Sequence, residues 1–460
     1  MDIKKAIEAY KQDIIEDIRS LLAIKSVMGP ASEGKPFGDG PTEALNHALA
    51  LGEKLGFKSK NLDNYCGYLE IGEGDELIGV LAHVDIVPEG DNWKHDPYAG
   101  EIDDNKIFGR GTTDNKGPAI VCMYAMKILA DMGIPLNKRI RLVLGANEES
   151  GFNCMKYYRT VEEDFSMGFT PDANFPLIFG EKGFYRSFFS AREISGCDIV
   201  LLDINGGEAV NVVAPSCRAV LKADSKDIDK IEAEFITYAE KNADGYNYSR
   251  NEDTITLELH GISAHASRPQ SGLNAISLLV LFLNKFLKES LFINGYSELI
   301  GMETDGKSLG VSCADEYGAL TLNIGLISMI DNTINASIDI RYPITVEFEP
   351  YIDILDETFR SKQITNETTS IDKPLFVDPS SDFIKALHSA YINVTGDKLN
   401  QPFTIGGGTY ARVFKNVVAY GLEFPNSHNN VHMKDEFLDL DDISVSTEIY
   451  VNALLNLLQL

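Results

Sequence analysis

The run LIGVLAHVDIV, residues 77–87, is apolar almost without interruption. A strand with one wet face alternates apolar and polar residues, so an unbroken run predicts a strand covered on both faces. The signals that follow agree with it. Pro118, a good first-turn residue, opens a helical pattern through Ile120, Met123, Tyr124, Ile128 and Leu129 that stops at Gly133. The apolar strand RIRLVLGA comes next, then a helical stretch after Gly151. Alternation of this kind predicts an α/β fold, a mixed and largely parallel sheet covered by helices, whose ligands bind beyond the carboxyl ends of the strands.

Between about Phe184 and Asp378 the character changes. RAVLKADS, TITLELHG, ALTLNIGLIS and NASIDIRYP read as strands between two longer helical segments, which predicts an inserted α+β domain. Two segments, SCRAVLKADSKDIDKIEAEF and NASIDIRYPITVEFEPYIDILDETF, each run strand, polar turn, amphipathic helix, and suggest an internal repeat. At DPSSDFIKALHSAY, with Asp382 as the expected helix cap, the chain returns to the first domain. The expected division is therefore 1–183 with 378–460, and 184–377 inserted.

Composition narrows the partners. A length of 460 residues suits two domains, and a formal charge of -28 removes the basic stripe that a nucleic-acid binder needs. Small substrates and metal cations fit such a surface better. The N-terminal segment is amphipathic, with Ile3, Ile7, Tyr10, Ile14, Ile18 and Leu21 on one face, and is no secretory leader. The longest apolar run, AISLLVLFL, falls well short of the ~18 residues of a membrane span, so a cytoplasmic protein without a membrane partner is expected. Cys66, Cys122, Cys154, Cys197, Cys217 and Cys313 form no C-x-x-C pair and read as buried small hydrophobes.

The chemistry gathers after the strand signals of the first domain. His83 and Asp85 are two apart, which on an extended strand puts both on one side, where a carboxylate orients an imidazole toward a metal. A polar pair capping a strand end is the other reading. Asp114 lies in the Gly-rich turn GRGTTDNKGP, where it is either a ligand or a turn residue. Glu148 and Glu149 in ANEESG repel each other unless a cation neutralises them, or unless they sit at a solvated helix start. With a cation, one can hold the metal and the other take a proton from water. Asp172 in TPDANFP is the fourth such site, and four together are harder to dismiss than any one. IGGGTYARVF lacks the lysine of a phosphate loop, so Gly407, Gly408 and Thr409 are expected to bring backbone N–H groups close to a substrate. In NSHNNVHMKDEF, spacing alone leaves both His428 and His432 open as ligands.

HVDIVPEGDNW, GRGTTDNKGP, NEESG, PDANFP, GISAHASRP and GGGTYAR, in this order along nearly the whole chain, resemble the PepV-type (carnosinase-like) dipeptidases of the zinc aminoacylase and carboxypeptidase superfamily. The resemblance implies two divalent metal ions, zinc foremost with manganese and cobalt also accommodated. His83 and Asp172 would hold one, Glu149 and His432 the other, and Asp114 would bridge them across a cis Asp114–Asn115 peptide. His432 is favoured over His428 because HMKDE matches the family's H-x-x-N-E pattern, with Asp435 in the Asn place. Asn147 stands where many relatives have Asp. His47, His95, His260 and His388 match no ligand position. The resemblance makes Glu148 the general base and then the general acid, with Asp85 behind His83. It makes the insert a lid carrying His265 and Asn211 toward the developing oxyanion and Arg341 toward the substrate's C-terminal carboxylate. A surface histidine on a polar loop and a surface ion pair are the other readings of His265 and Arg341. The implied activity is hydrolysis of free dipeptides, Xaa-His and β-alanyl dipeptides among the candidates, by a monomer acting on small peptides. An N-acyl amino acid deacetylase or carboxypeptidase of the same superfamily, or a metal-binding protein without turnover, are the alternatives.

Overall fold

The computed structural model describes residues 2–194 and 198–460, so Cys197 lies outside the described residues. The chain divides into two compact units, Met1–Gly180 with Leu375–Thr404 and Gly408–Leu460, and Glu181–Pro374 with Ile405–Gly407.

In the first unit the strand Leu77–His83 is buried along its whole length. It pairs in parallel with Arg139–Gly145 on one side and Met167–Thr170 on the other, and Val417–Ala419 extends the parallel set. Antiparallel strands extend the sheet, Cys66–Ile71 and Lys58–Leu62 beyond one side and Ile178–Glu181 beyond the other, where Leu375–Phe376 and Phe403–Ile405 join it. Leu77 and Leu81 pack with Cys154, Met155 and Tyr158 of the helix Asn153–Val161. The helix Lys116–Asp131 packs on the same strand and is itself covered by Ile3–Leu22 and Leu440–Leu457. Burial of Ile14, Ile18, Leu21, Ile120 and Leu129 in this layer contributes about 1.5–3 kcal/mol for each side chain.

Three local expectations are corrected. The strand stops at His83 and does not reach Val87: Val84 N–H makes the last ladder bond, to Gly145 O, and Ile86 N–H turns away to Ser26 O. The helix expected from Pro118 starts at Lys116, with Pro118 in its first turn. Ser381, not Asp382, caps the returning helix Asp382–Thr395, since its hydroxyl accepts from Ile384 N–H. Cys66, Cys122, Cys154 and Cys217 are buried and Cys313 is half-buried, all as free thiols. No helix among the described residues is long and apolar enough to cross a membrane.

The second unit is built on an antiparallel sheet ordered Gly245–Arg250, Thr254–His260, Ser216–Lys222, Val200–Gly206, Ile327–Ile330, Thr333–Tyr342, Gly183–Arg192, Thr365–Asp372. The two halves meet at the Val200–Gly206 and Ile327–Ile330 pairing. Ser216–Lys222 leads into the helix Ser225–Asn242 and Thr333–Tyr342 into Glu349–Ser361, so each half carries the same strand–helix step, one on either side of that seam. Two shorter helices add to the expected pair: Ala275–Leu283, the apolar run AISLLVLFL, and Leu291–Leu299. ALTLNIGLIS is not one strand but two, Thr321–Asn323 and Ile327–Ile330, and both pair with Thr333–Tyr342.

Candidate metal centre and substrate residues

The strand order decides which side chains meet. His83 ends its strand beside Gly145, two residues before Asn147, and Asp172 follows the next parallel strand at Thr170. Their side chains therefore emerge at one end of the sheet. The loop before the helix Lys116–Asp131 supplies Asp114, whose peptide bond to Asn115 is cis.

Asp114 is shared between two imidazoles. Its Oδ1 lies 2.9 Å from His83 Nε2 and its Oδ2 lies 2.8 Å from His432 Nε2. A second carboxylate faces each ring, Asp172 at 3.7 Å from His83 and Glu149 at 3.2 Å from His432. Glu148 has its carboxylate within 4.8 Å of the His83 and Asp172 donor atoms. His428 is exposed and is not among these donors.

The supports of this cluster differ from the sequence reading at Asp85. Asp85 lies beyond the strand, and its main-chain carbonyl, 3.0 Å away, accepts from His83 Nδ1, which turns Nε2 toward Asp114. The Asp85 carboxylate is 3.5 Å from that ring and accepts instead from the backbone N–H groups of Glu148 and Glu149 at 3.0 and 3.2 Å. One residue thus orients a ligand and anchors the paired glutamates. Asn147, buried next to them, accepts from Asn153 N–H at the start of the following helix.

Three supports were not picked out as functional from the sequence. Glu436 is fully buried; its Oε1 accepts from the N–H groups of Gly111, Thr113 and Asp114 at 3.1, 3.0 and 3.2 Å, and its Oε2 from Arg110 at 2.5 Å. The closing Glu of HMKDE, four residues after His432, was its signal. Asn115 accepts from His83 N–H and donates to Pro171 O and Asp172 Oδ1, tying two strand ends together. Glu423 stands on Leu422–Glu423, which pairs in parallel with Ala173–Asn174 just after Asp172. No motif in GLEFPN marks it.

Charge in the cluster is lopsided. Glu148 is held well above the ordinary carboxyl range, first by burial and then by Asp172, Glu149 and Asp114. Burial and Asp114 push Glu149 up to about 7, and burial with Asp114, Asp172 and Glu436 does the same to Glu423. Asp172 is raised by burial and by Asp114. Asp114 moves the other way, since the hydrogen bonds from His432 and His83 overcome its burial. Burial opposes charge on His432, yet its bonds to Asp114 and Glu149 push it up to about 11. Among the described residues no lysine or arginine pairs with these acids: Lys116 donates to Leu21 O and Ile24 O, and Arg110 to Glu436. Imidazole and carboxylate donors converging with surplus negative charge fit divalent cations.

In the second unit, Asn211 lies in a turn whose carbonyl accepts from Ala266 N–H, and Val212 is bridged to His265. Ser267 N–H donates to His265 Nδ1, so Nε2 carries the proton of the neutral ring and is a donor. Its crowded surroundings and the Arg341 charge hold the ring below its ordinary pKa. Arg341 is buried, stacked 3.8 Å over the Phe184 ring, and bound by Nε and Nη2 to Asp339 at 2.5 and 3.0 Å. Nη1 is the edge turned elsewhere, 3.4 Å from Gly406 O. Asp339 also accepts from Arg186 at 2.9 Å. In the glycine segment the tightest position is Gly406, where a Cβ would meet Ser267 Cβ at 2.7 Å, while Gly407 is in ordinary contact. Gly408 and Thr409 belong to the first unit, and the Thr409 hydroxyl caps the turn Tyr410–Val413 by accepting from Ala411 N–H.

A family model described as Peptidase family M20/M25/M40 matches residues 79–456. YtjP of Bacillus subtilis (strain 168), a protein provisionally assigned as a dipeptidase, is 37% identical over 458 residues, covering 97% of each chain. Human carnosine dipeptidase 1 has a similar structure, with a TM-score of 0.57 at 14% identity over 100% of this chain and 98% of its own. The Bacillus subtilis YXEP protein, described as a dinuclear metal-binding peptidase, gives a TM-score of 0.53 at 11% identity over 98% and 99%. At these identities the two structures speak for the fold.

Proposed function

The chain belongs to peptidase family M20/M25/M40 and is a metal-dependent dipeptidase; from that premise we propose that it hydrolyses free dipeptides at two divalent cations, zinc foremost. The observation that carries the reading is the division of Asp114 between His83 and His432, each ring faced by one further carboxylate. His83 and Asp172 would hold one cation, His432 and Glu149 the other, and Asp114 both. When bound, the cations polarise the peptide carbonyl and lower the pKa of a nearby water.

The remaining steps belong to side chains. Glu148 makes no ion pair among the described residues, sits beside His83 and Asp172 and has its carboxyl pulled upward, which suits a group that takes the proton of the attacking water and delivers it to the leaving amine. Asp85 keeps Glu148 in place through its backbone N–H. His265 Nε2–H and Asn211 donate to the oxyanion, and Arg341 reads the free C-terminal carboxylate through its Nη1 edge. Gly407, Gly408 and Thr409 bring main-chain donors alongside the substrate. We place the protein in the cytoplasm as a monomer acting on small peptides, with neither nucleic acid nor membrane as partner.

The test is hydrolysis of a panel of free dipeptides, tripeptides and N-acetyl amino acids after reconstitution with zinc, manganese or cobalt. Dipeptides should be cleaved at least about tenfold faster than the rest, a discrimination of roughly 1.4 kcal/mol. Preferential cleavage of N-acetyl amino acids or tripeptides would replace this reading with that of a deacetylase or a broader peptidase.

A further inference from the structure

Three segments of the second unit meet on one short strand. Thr321–Asn323 pairs with Thr333–Tyr342 so that Thr321 stands opposite Arg341 and Asn323 opposite Asp339. The Thr321 hydroxyl donates to Ala266 O, next to His265. Asn323 is buried, 2% exposed, and its Nδ2 donates to both Val210 O and Val212 O at 3.0 Å. Those two carbonyls flank Asn211. The same turn is joined to the His265 segment by Ala266 N–H to Asn211 O at 2.9 Å and Val213 N–H to Ala264 O at 2.8 Å.

We propose that Asn323 is a positioning residue that fixes Asn211, and through it the spacing of Asn211 from His265 and Arg341. An amide nitrogen has two hydrogens, and here both are spent on the carbonyls either side of one residue, which leaves that peptide no freedom to rotate. The opposite end of the same side chain shows what was given priority: Asn323 Oδ1 is buried with no hydrogen-bond partner among the described residues. A side chain kept for filling space would be apolar at such a place, whereas one kept for its two donors tolerates the idle acceptor. The inference rests on the proposed role of Asn211 at the oxyanion.

The experiment is a double-mutant cycle on the full-length, metal-loaded enzyme with Asn323→Asp, which removes both donors at constant shape, Asn211→Ala, and the pair. Asn323→Asp should lower kcat about 100-fold with KM changed less than twofold and metal content unchanged. It should weaken binding of a phosphinic dipeptide analogue, a mimic of the tetrahedral state, by a similar factor while leaving product binding alone. In the Asn211→Ala background it should cost less than about threefold more. Losses that multiply, or a normal kcat in Asn323→Asp when Asn211→Ala is slow, overturn the inference and leave the reading of Asn211 standing. A normal kcat in Asn211→Ala overturns both. Should circular dichroism show that Asn323→Asp does not fold, Asn323→Ser, with a single donor, enters the same cycle under the same criteria.

Discussion

Four carboxylates, Asp114, Glu148, Glu149 and Asp172, crowd two imidazoles in the first unit, whereas in the second unit three arginines, Arg186, Arg268 and Arg341, act on His265 around the one carboxylate of Asp339. Asp339 and Arg341 are buried, as His83 is, but the two clusters are held differently. The acids are fixed from behind by Asp85, Asn115 and Glu436, mostly through main-chain groups, and among the described residues no lysine or arginine pairs with Asp114, Glu148, Glu149 or Asp172. Arg341 is fixed by a carboxylate that grips one edge of its guanidinium. On the function proposed above, anchored charge of either sign would specify its ligand, a metal cation in the first unit and a substrate anion in the second.

The strongest way to break this comparison is to remove the group shared by both rings. Asp114→Ala should leave too few donors for either cation, with turnover below detection and metal absent by elemental analysis; a variant that keeps its metal would show that Asp114 is no ligand. Glu148→Gln comes next, with kcat lowered by about 10²–10⁴ and metal content equal to the parent's, while Glu149→Gln should lose metal. Equal metal loss in the two would erase the distinction between base and ligand. On the basic side, the parent should discriminate a dipeptide from its C-terminal amide by about 10–100-fold in kcat/KM, and Arg341→Ala should lose most of that, as expected for one charge-assisted bond. Equal turnover of acid and amide by the parent would remove the anion from the second unit. The smallest effect belongs to Arg186→Ala. It frees Asp339 to act on Arg341 alone and should raise KM by up to about fivefold with kcat and metal unchanged, since a partly exposed pair is worth little.

How far the sequence discloses this arrangement depends on whether a residue's role follows from its local pattern. Buried parallel strands announce themselves as apolar runs, so the ends of Leu77–His83, Arg139–Gly145 and Met167–Thr170 could be located, and with them His83, Glu148, Glu149 and Asp172. Asp85 was only partly legible, because the strand ends at His83 and the main-chain carbonyl and the carboxylate of Asp85 turn to different partners. Ser381 outcompeted Asp382 by a one-residue offset, which propensity cannot resolve. Asn115 and Glu423 were hidden more deeply. Their importance lies in partners 57 residues away for Asn115, and for Glu423 in a strand pairing with Ala173–Asn174, and neither distance leaves a mark on neighbouring residues. The break in ALTLNIGLIS, where Asn323 ends its strand, is equally silent, although the donors of that asparagine order the turn around Asn211.

The hold of Glu436 on the 110–114 loop joins points 326 residues apart in the case of Arg110, and His432 reaches Glu149 across 283. Loop closure over such lengths comes late in folding, after the local helices and strands have formed. During synthesis, therefore, a ribosome-tethered chain carries His83, Asp114, the paired glutamates and Asp172 for most of its elongation while the amides of Gly111, Thr113 and Asp114 still lack their common acceptor. On the proposed ligand set the site is complete only with residues 432–436, so the growing polypeptide would be inert toward the small peptides of its surroundings until that segment has emerged and docked.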